Sequence, residues 1–363
     1  MLRRKLLVLG LMVGSTLAHA EDVLRVYGRE GRLAPSVIEG FQTQTGIRVE
    51  YSTYSTAAEL RQGYGYRVRA DVVFPVHFQL PALLAGMSLH PLDPTKLPNL
   101  QQVDPDLLAM LAARDGQTRL AGRESLAIHA VPFQWGTVGL ALNVPKVTAA
   151  LGTLPEESWS LLFDPQNSAR LAECGIGLLD APEETLSLLL NYKGHKLDQS
   201  GPRQIQRAGD ELVALRGKAA SFGNITYIEQ LASGQLCMAM AWSGHALQAA
   251  DAGAPLRFVM PREGGLMFIE TMAIAGNAEN VDAAHRFIDY LASAEVNIRN
   301  ARETLFYPVI RDDAPEMARL AGERKELVAA RSQRRSFYYM EPLGARQMSA
   351  VDEAWTKVAQ VKR

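Results

Sequence analysis

Three observations predict an α/β protein of two lobes, each a mostly parallel sheet flanked by helices. Strand-like and helix-like segments alternate from residue 23 onward, the chain crosses between halves at two places, and two strand-like runs each begin at one of the only two cysteines. A length of 363 residues agrees, since domains commonly hold roughly 100–200 residues.

The first segment is not part of that fold. Arg3, Arg4 and Lys5 precede an apolar run from Leu6 to Val13 and an Ala18-His19-Ala20 end, which reads as a secretory leader over residues 1–20, cleaved after Ala20. The run is shorter than the about 18–20 residues a membrane span needs, and no later segment qualifies. No cysteine lies near Ala20, so no lipid anchor is expected. The expectation is a monomeric protein in the bacterial periplasm, with no membrane insertion of the mature chain. Lys and Arg total 38 against 39 Asp and Glu, and losing Arg3, Arg4 and Lys5 leaves a net charge of about −4. That is too small to argue for nucleic acid.

Val23 to Tyr27 reads as an opening strand, closed by a turn over Gly28-Arg29-Glu30-Gly31. From Pro35 to Gln44, Val37, Ile38 and Phe41 recur at helical spacing, and Gly46 sits where a helix stops. Ile47 to Tyr51 alternates as a second strand, Ala57 to Tyr64 as a helix, and Ala70 to Phe74 as a buried strand bounded by Pro75. Such β-α-β repetition calls for a parallel sheet covered on both faces. Around Ala130 to Thr137 the chain is expected to cross to a second lobe, with Val138 to Asn143 starting a new strand and Trp159 to Phe163 a short helix.

The strand Gly175 to Leu179 leads into a helix near Pro182, with Asp180 as its cap and Glu183 and Glu184 in its first turn. Leu236 to Ala241 is another strand, and it ends in Trp242-Ser243-Gly244-His245. Leu256 to Pro261 reads as the return crossing. Two crossings behave as a hinge, dividing 21–132 with 257–300 from 133–256 with 301–363. In an exported protein Cys174 and Cys237 can form a lasting disulfide, closing a loop of about 60 residues worth roughly 4 kcal/mol by chain entropy. Two buried free thiols are the alternative. If bonded, the two strands lie side by side, and Glu184 and the Trp242–His245 turn emerge at one end of the sheet, where open α/β sheets bind ligands.

A collinear series of short segments carries a family resemblance. It runs through Ala34-Pro35 with Thr45-Gly46-Ile47, Leu92-Asp93 before Lys96-Leu97-Pro98, Asp180-Ala181-Pro182-Glu183-Glu184, Ala241-Trp242, Pro261-Arg262-Glu263-Gly264, Phe306-Tyr307 and Ala354-Trp355-Thr356-Lys357-Val358. In these residues the chain resembles the periplasmic polyamine (putrescine and spermidine) binding proteins of ABC importers, most of all the putrescine-binding type, over nearly its whole mature length. The resemblance implies a periplasmic-binding-protein-like (type II) venus-flytrap, a small-molecule ligand in the interlobe cleft, an inner-membrane ABC permease as partner, and no cofactor. It also implies a disulfide between Cys174 and Cys237, and ligand contacts from Glu184, Trp242, Phe268, Glu270 and Tyr307.

Departures from the family pattern share a direction. Its first loop carries a tryptophan, a serine, an aspartate and a tyrosine where this chain has Arg29, Glu30, Gly31 and Arg32; an aspartate of the family is His245 here, and a serine is Val76. Arg29 or Arg32 facing the cleft repels an ammonium and can hold a carboxylate in bidentate fashion, whereas on a solvated loop neither does. Glu30 can pair with either arginine. His245 either donates to a ligand oxygen or caps the following helix. The expected ligand is a small cationic amine or a zwitterionic ω-amino or guanidino compound, the second favoured by the loss of acid at one end of the site.

Catalysis is not expected, because no nucleophile elbow, H-E-x-x-H or P-loop is present. Ferric-ion capture through Tyr338-Tyr339 is one alternative, with oxygen ligands suiting a hard metal. A sensor that presents its liganded form to a membrane receptor is another.

Overall fold

A computed structural model describes residues 23–63, 68–86, 88–115, 128–329 and 337–361, and every structural statement below concerns these. The leader lies outside them, as does Tyr64. The strands are β1 (Val23–Arg29), β2 (Arg48–Tyr54), β3 (Val72–Val73), β4 (Leu89–His90), β5 (Ala130–Asn143), β6 (Ile176–Leu178), β7 (Ser221–Phe222), β8 (Met238–Trp242), β9 (Leu256–Val259), β10 (Leu266–Ala275), β11 (Tyr307–Pro308) and β12 (Tyr338–Tyr339). The helices are α1 (Pro35–Thr45), α2 (Ala57–Gly63), α3 (Leu80–Ala85), α4 (Pro105–Asp115), α5 (Val144–Leu151), α6 (Ser160–Phe163), α7 (Pro165–Leu171), α8 (Pro182–Tyr192), α9 (Pro202–Arg216), α10 (Thr226–Ala232), α11 (Ser243–Asp251), α12 (Val281–Ala292), α13 (Ala294–Thr304), α14 (Pro315–Glu323) and a last helix, Ala345–Ala359.

The strands form one path, β2-β1-β3-β10-β5-β8-β6-β7, whose two ends are parallel and whose middle is antiparallel. Each parallel end is the product of the β-α-β units expected from sequence. Helix α1 shows the local logic: Pro35 opens it where a missing N–H costs nothing, and Gly46 closes it in the left-handed region at φ 71°, donating its N–H to Gln42 O. The described residues form four hydrophobic clusters, of which two are large. One gathers Leu24, Val26, Val37, Phe41, Val72, Phe287 and Ile288; the other gathers Leu140, Ile176, Leu186, Met238, Val351 and Trp355.

The crossings between cores are strands, not loops, which corrects the expected break before Val138. On β5, Val131, Phe133 and Trp135 pack in the first core, while Val138, Leu140 and Leu142 pack in the second. Segment Leu256–Val259 pairs with β5 on the second side, so the return passage is made by β10. Opposite Pro132, which has no N–H for the ladder, the β5–β10 register slips between Glu270 and Thr271. That irregularity lies directly beside Glu270.

The disulfide is present, with a Cα–Cα distance of 5.5 Å, and it ties the approach to β6 to the approach to β8. These strands are parallel, with Ile176 opposite Met238, so the N-termini of α8 and α11 emerge at one end as expected.

Candidate functional site

Strand β1 runs on to Arg29, beyond the turn expected at Gly28, and Arg32 follows just before α1. Both side chains turn inward, leaving residue exposures of only 3% and 2%. Arg29 Nη1 lies 3.6 Å from Glu184 Oε1 in the first turn of α8, and Arg32 Nε lies 3.5 Å from Glu270 Oε1 on β10. Rings surround the two guanidinium groups. The Arg29 guanidinium carbon is 5.1 Å from the Trp242 ring centroid and 5.9 Å from that of Tyr54. For Arg32 the distances are 5.0 Å to Trp242, 5.3 Å to Phe268 and 3.6 Å to Phe306, all within cation–π range.

These groups are charged and buried yet incompletely hydrogen-bonded. All three Arg32 nitrogens, Arg29 Nε, both Glu184 carboxylate oxygens, Glu270 Oε1 and Trp242 Nε1 have no hydrogen-bond partner. Burial draws the Arg32 guanidinium down to about 10, against the pull of Glu270, so it remains cationic at neutral pH. For Arg29 burial also pulls downward, but Glu184, Tyr54 and Glu270 outweigh it and the group is held above its ordinary value. A buried ion pair of imperfect geometry returns less than its desolvation cost, so the arrangement is held by its surroundings.

Those surroundings are specific. Asn300 on α13 donates to Arg32 O (3.0 Å) and to Gln134 Oε1 (3.2 Å) and accepts from Ala34 N–H (2.9 Å); Gln134 in turn donates to Glu270 Oε2 at 2.5 Å. Tyr51 donates to Arg29 O (2.8 Å), fixing the end of β1 from β2. Two glycines admit the rings: a Cβ on Gly136 would stand 2.6 Å from Phe268, and one on Gly244 would stand 2.6 Å from Phe306.

Six of the nine expected ligand contacts, Arg29, Arg32, Glu184, Trp242, Phe268 and Glu270, are therefore gathered into one buried cluster. His245 joins them as a wall. Its ring meets Trp242 edge-on at 5.3 Å and Phe306 at 5.5 Å, and its Nδ1 is 2.9 Å from Tyr227 Oη. It makes no cap on α11. Burial, then Arg32 and Arg29, push it well below the usual histidine range, so it is neutral at pH 7.

Two residues stand apart. Glu30 is exposed at the turn after β1. Tyr307 points away from the crevice and stacks on Trp135, centroids 4.1 Å apart at 15°. Alternation along the chain puts Phe306 in the crevice instead. Phe306, Tyr54, Tyr227, Gln134 and Asn300 were missed, because nothing local marks them as neighbours. Asp180 does not cap α8 either: Ala181 is the N-cap, and Asp180 Oδ1 accepts from Trp355 Nε1 at 2.7 Å. Tyr338 and Tyr339 are engaged separately, Tyr338 Oη 3.0 Å from Ser187 Oγ and Tyr339 Oη 2.6 Å from Met267 Sδ. Among the described residues no three His, Cys, Asp or Glu side chains converge as metal ligands.

A buried cluster of two arginines, two glutamates and aromatic rings thus lies between two strand-linked cores. Residues 36–326 match the bacterial extracellular solute-binding proteins, and the chain belongs to that family. It is similar to the putrescine-binding periplasmic protein SpuD of Pseudomonas aeruginosa, 30% identical with 96% of this chain and 95% of that one covered. The putrescine-binding periplasmic protein PotF of Escherichia coli is 33% identical, covering 80% of this chain and 79% of the other. In fold it is similar to the Tp0655 (TpPotD) lipoprotein of Treponema pallidum, with a TM-score of 0.75 at 19% identity over 93% of this chain and 99% of that one. The two-lobe α/β architecture expected from sequence is thus shown. No described helix is long and apolar enough to cross a membrane.

Proposed function

We propose that this protein captures a polyamine-like solute of zwitterionic type in the periplasm, closes its lobes over it and delivers it to an ABC permease. The leader over residues 1–20 would direct export, and the mature chain would act as a monomer without catalysing a reaction. The observation that carries the ligand class is the meeting of unpartnered buried donors, on Arg29, Arg32 and Trp242, with unpartnered buried acceptors, on Glu184 and Glu270. The two guanidinium groups already balance the two carboxylates. A dication would add two uncompensated charges to a buried site, whereas an ω-amino or guanidino acid adds none, and its ends can meet both kinds of unpartnered atom.

Opening would occur within β5 and β10, near Gly136 and Glu270, where each strand passes from one core to the other. Residues 301–327 would travel with the first lobe, because Leu305, Ile310, Met317, Leu320 and Leu327 pack with Ala294 and Ile298. This shifts the division after residue 300 toward the segment before Tyr338. Calorimetric titration with 4-aminobutyrate, 4-guanidinobutyrate and putrescine tests the reading. A zwitterion should bind at least about tenfold more tightly than putrescine, a difference of about 1.4 kcal/mol; the reverse ranking refutes it.

A further inference from the structure

The crevice contains cations of its own. Arg32 is enclosed by Trp242, Phe268 and Phe306 and faces Glu270, while Arg29 lies over Trp242 and faces Glu184. Rings on several sides with a carboxylate at hand are what recognises an alkylammonium or guanidinium ligand. Here that recognition is directed at side chains of the same chain. Arg29 ends β1 and Arg32 lies in the β1–α1 connection, whereas Trp242 and Glu184 come from the strand and helix ends beside the second core.

Resting on the reading of this crevice as the solute site, we propose that Arg29 and Arg32 are tethered occupants. Their guanidinium groups take the two cation positions between Glu184, Glu270 and the surrounding rings, and so make the wild-type protein refuse free diamines. They are then specificity-determining residues, and the walls behind them form a latent diamine site. Arg29 also links the two sides of the crevice through Glu184, so the tether favours closure as a bound dication would.

The test is a gain of function. In Arg29→Ala/Arg32→Ala, Glu184 and Glu270 lose their counter-charges, and a free diamine can restore them. Putrescine should bind the double variant at least about 100-fold more tightly than wild type and raise its thermal midpoint. Arg29→Ala/Glu184→Gln, which removes a cation together with its carboxylate, should gain much less. If the double variant does not fold, Arg32→Ala alone serves: guanidinium ion or methylguanidine at millimolar concentration should raise its midpoint more than that of wild type. A folded variant with no gain for putrescine or guanidinium, or a wild type that binds putrescine within about tenfold of the variant, overturns the proposal. Titration of wild type with 4-aminobutyrate reports on the zwitterion reading alone, so the two ideas fail separately.

Discussion

Trp242 is the plane against which both arginines lie, at 5.1 and 5.0 Å, and its indole Nε1 is one of the unpartnered buried donors. Trp242→Ala should weaken solute binding by about 10-fold, the middle of the range for a desolvated cation–π contact, while circular dichroism stays unchanged. Glu184→Gln should weaken it too, since Arg29 loses the carboxylate that holds it in place. His245 has a different signature. Its folded pKa lies well below that of the unfolded chain, so its contribution to stability is complete above about pH 6.5 and declines as pH falls from there toward the folded value. Arg29, Arg32 and the Tyr227 hydroxyl face it, and none of them offers an imidazolium a counter-charge. Thermal midpoints should therefore fall below pH 6.5 with a contribution of up to about 1.4 kcal/mol per pH unit from this residue, and His245→Phe should remove that part of the slope. An unchanged slope in the variant would show that His245 is not the group responsible.

At the level of elements, the cysteine bridge holds α8 and α11 in the arrangement that brings Glu184 beside Trp242. A 63-residue separation makes the loop worth roughly 4 kcal/mol, so Cys174→Ser/Cys237→Ser should melt at markedly lower temperature and bind solute less well, as calorimetry would show. Gly244→Ala should act without touching charge, by pushing Phe306 off Arg32. Its thermal midpoint and its affinity should both drop. Helices α1, α2, α6 and α8 and strands β1, β2, β3, β6 and β8 were legible in the sequence because each has a local sign, such as periodicity, a proline start or a glycine stop, and the two cysteines allowed the disulfide. Six residues that the resemblance singled out lie together in the structure. What was not legible came from pairing at a distance. The slip beside Pro132 and Glu270 depends on two strands more than 130 positions apart. The choice of Phe306 over Tyr307 depends on which face of a two-residue strand meets β5, and Asn300 matters only because α13 packs behind the arginine loop. The continuous strand through Thr137 hid its change of core, since every residue from Ala130 to Asn143 is buried.

On the scale of the whole molecule, contacts outside the crevice also hold the two sides together. Arg61 on α2 pairs with Glu183, the neighbour of Glu184, and with Asp352 on the last helix at 2.7 Å; Asn224 donates to Ser55 O at 3.0 Å. Burial raises the Glu183 carboxyl above its ordinary range, against the opposing pull of Arg61. Such a group contributes stability fully below the unfolded carboxyl value near 4.3, and that contribution is lost as pH rises through the folded value. Arg61→Gln removes the group that opposes this rise, so it should cost more stability as pH increases, a loss moderated by the 21% exposure of Arg61. Small-angle scattering at pH 7 should show a larger radius of gyration for the variant; an identical curve would mean that this bridge does not hold the lobes. The central claim is a charge-balanced crevice that admits a solute bearing both signs and turns away a bare diamine. Native mass spectrometry of the protein released gently from the periplasm tests it most directly. The account predicts a retained small molecule with an amine or guanidine and a carboxylate, and recovery of putrescine or another unsubstituted diamine from the wild-type crevice would contradict it.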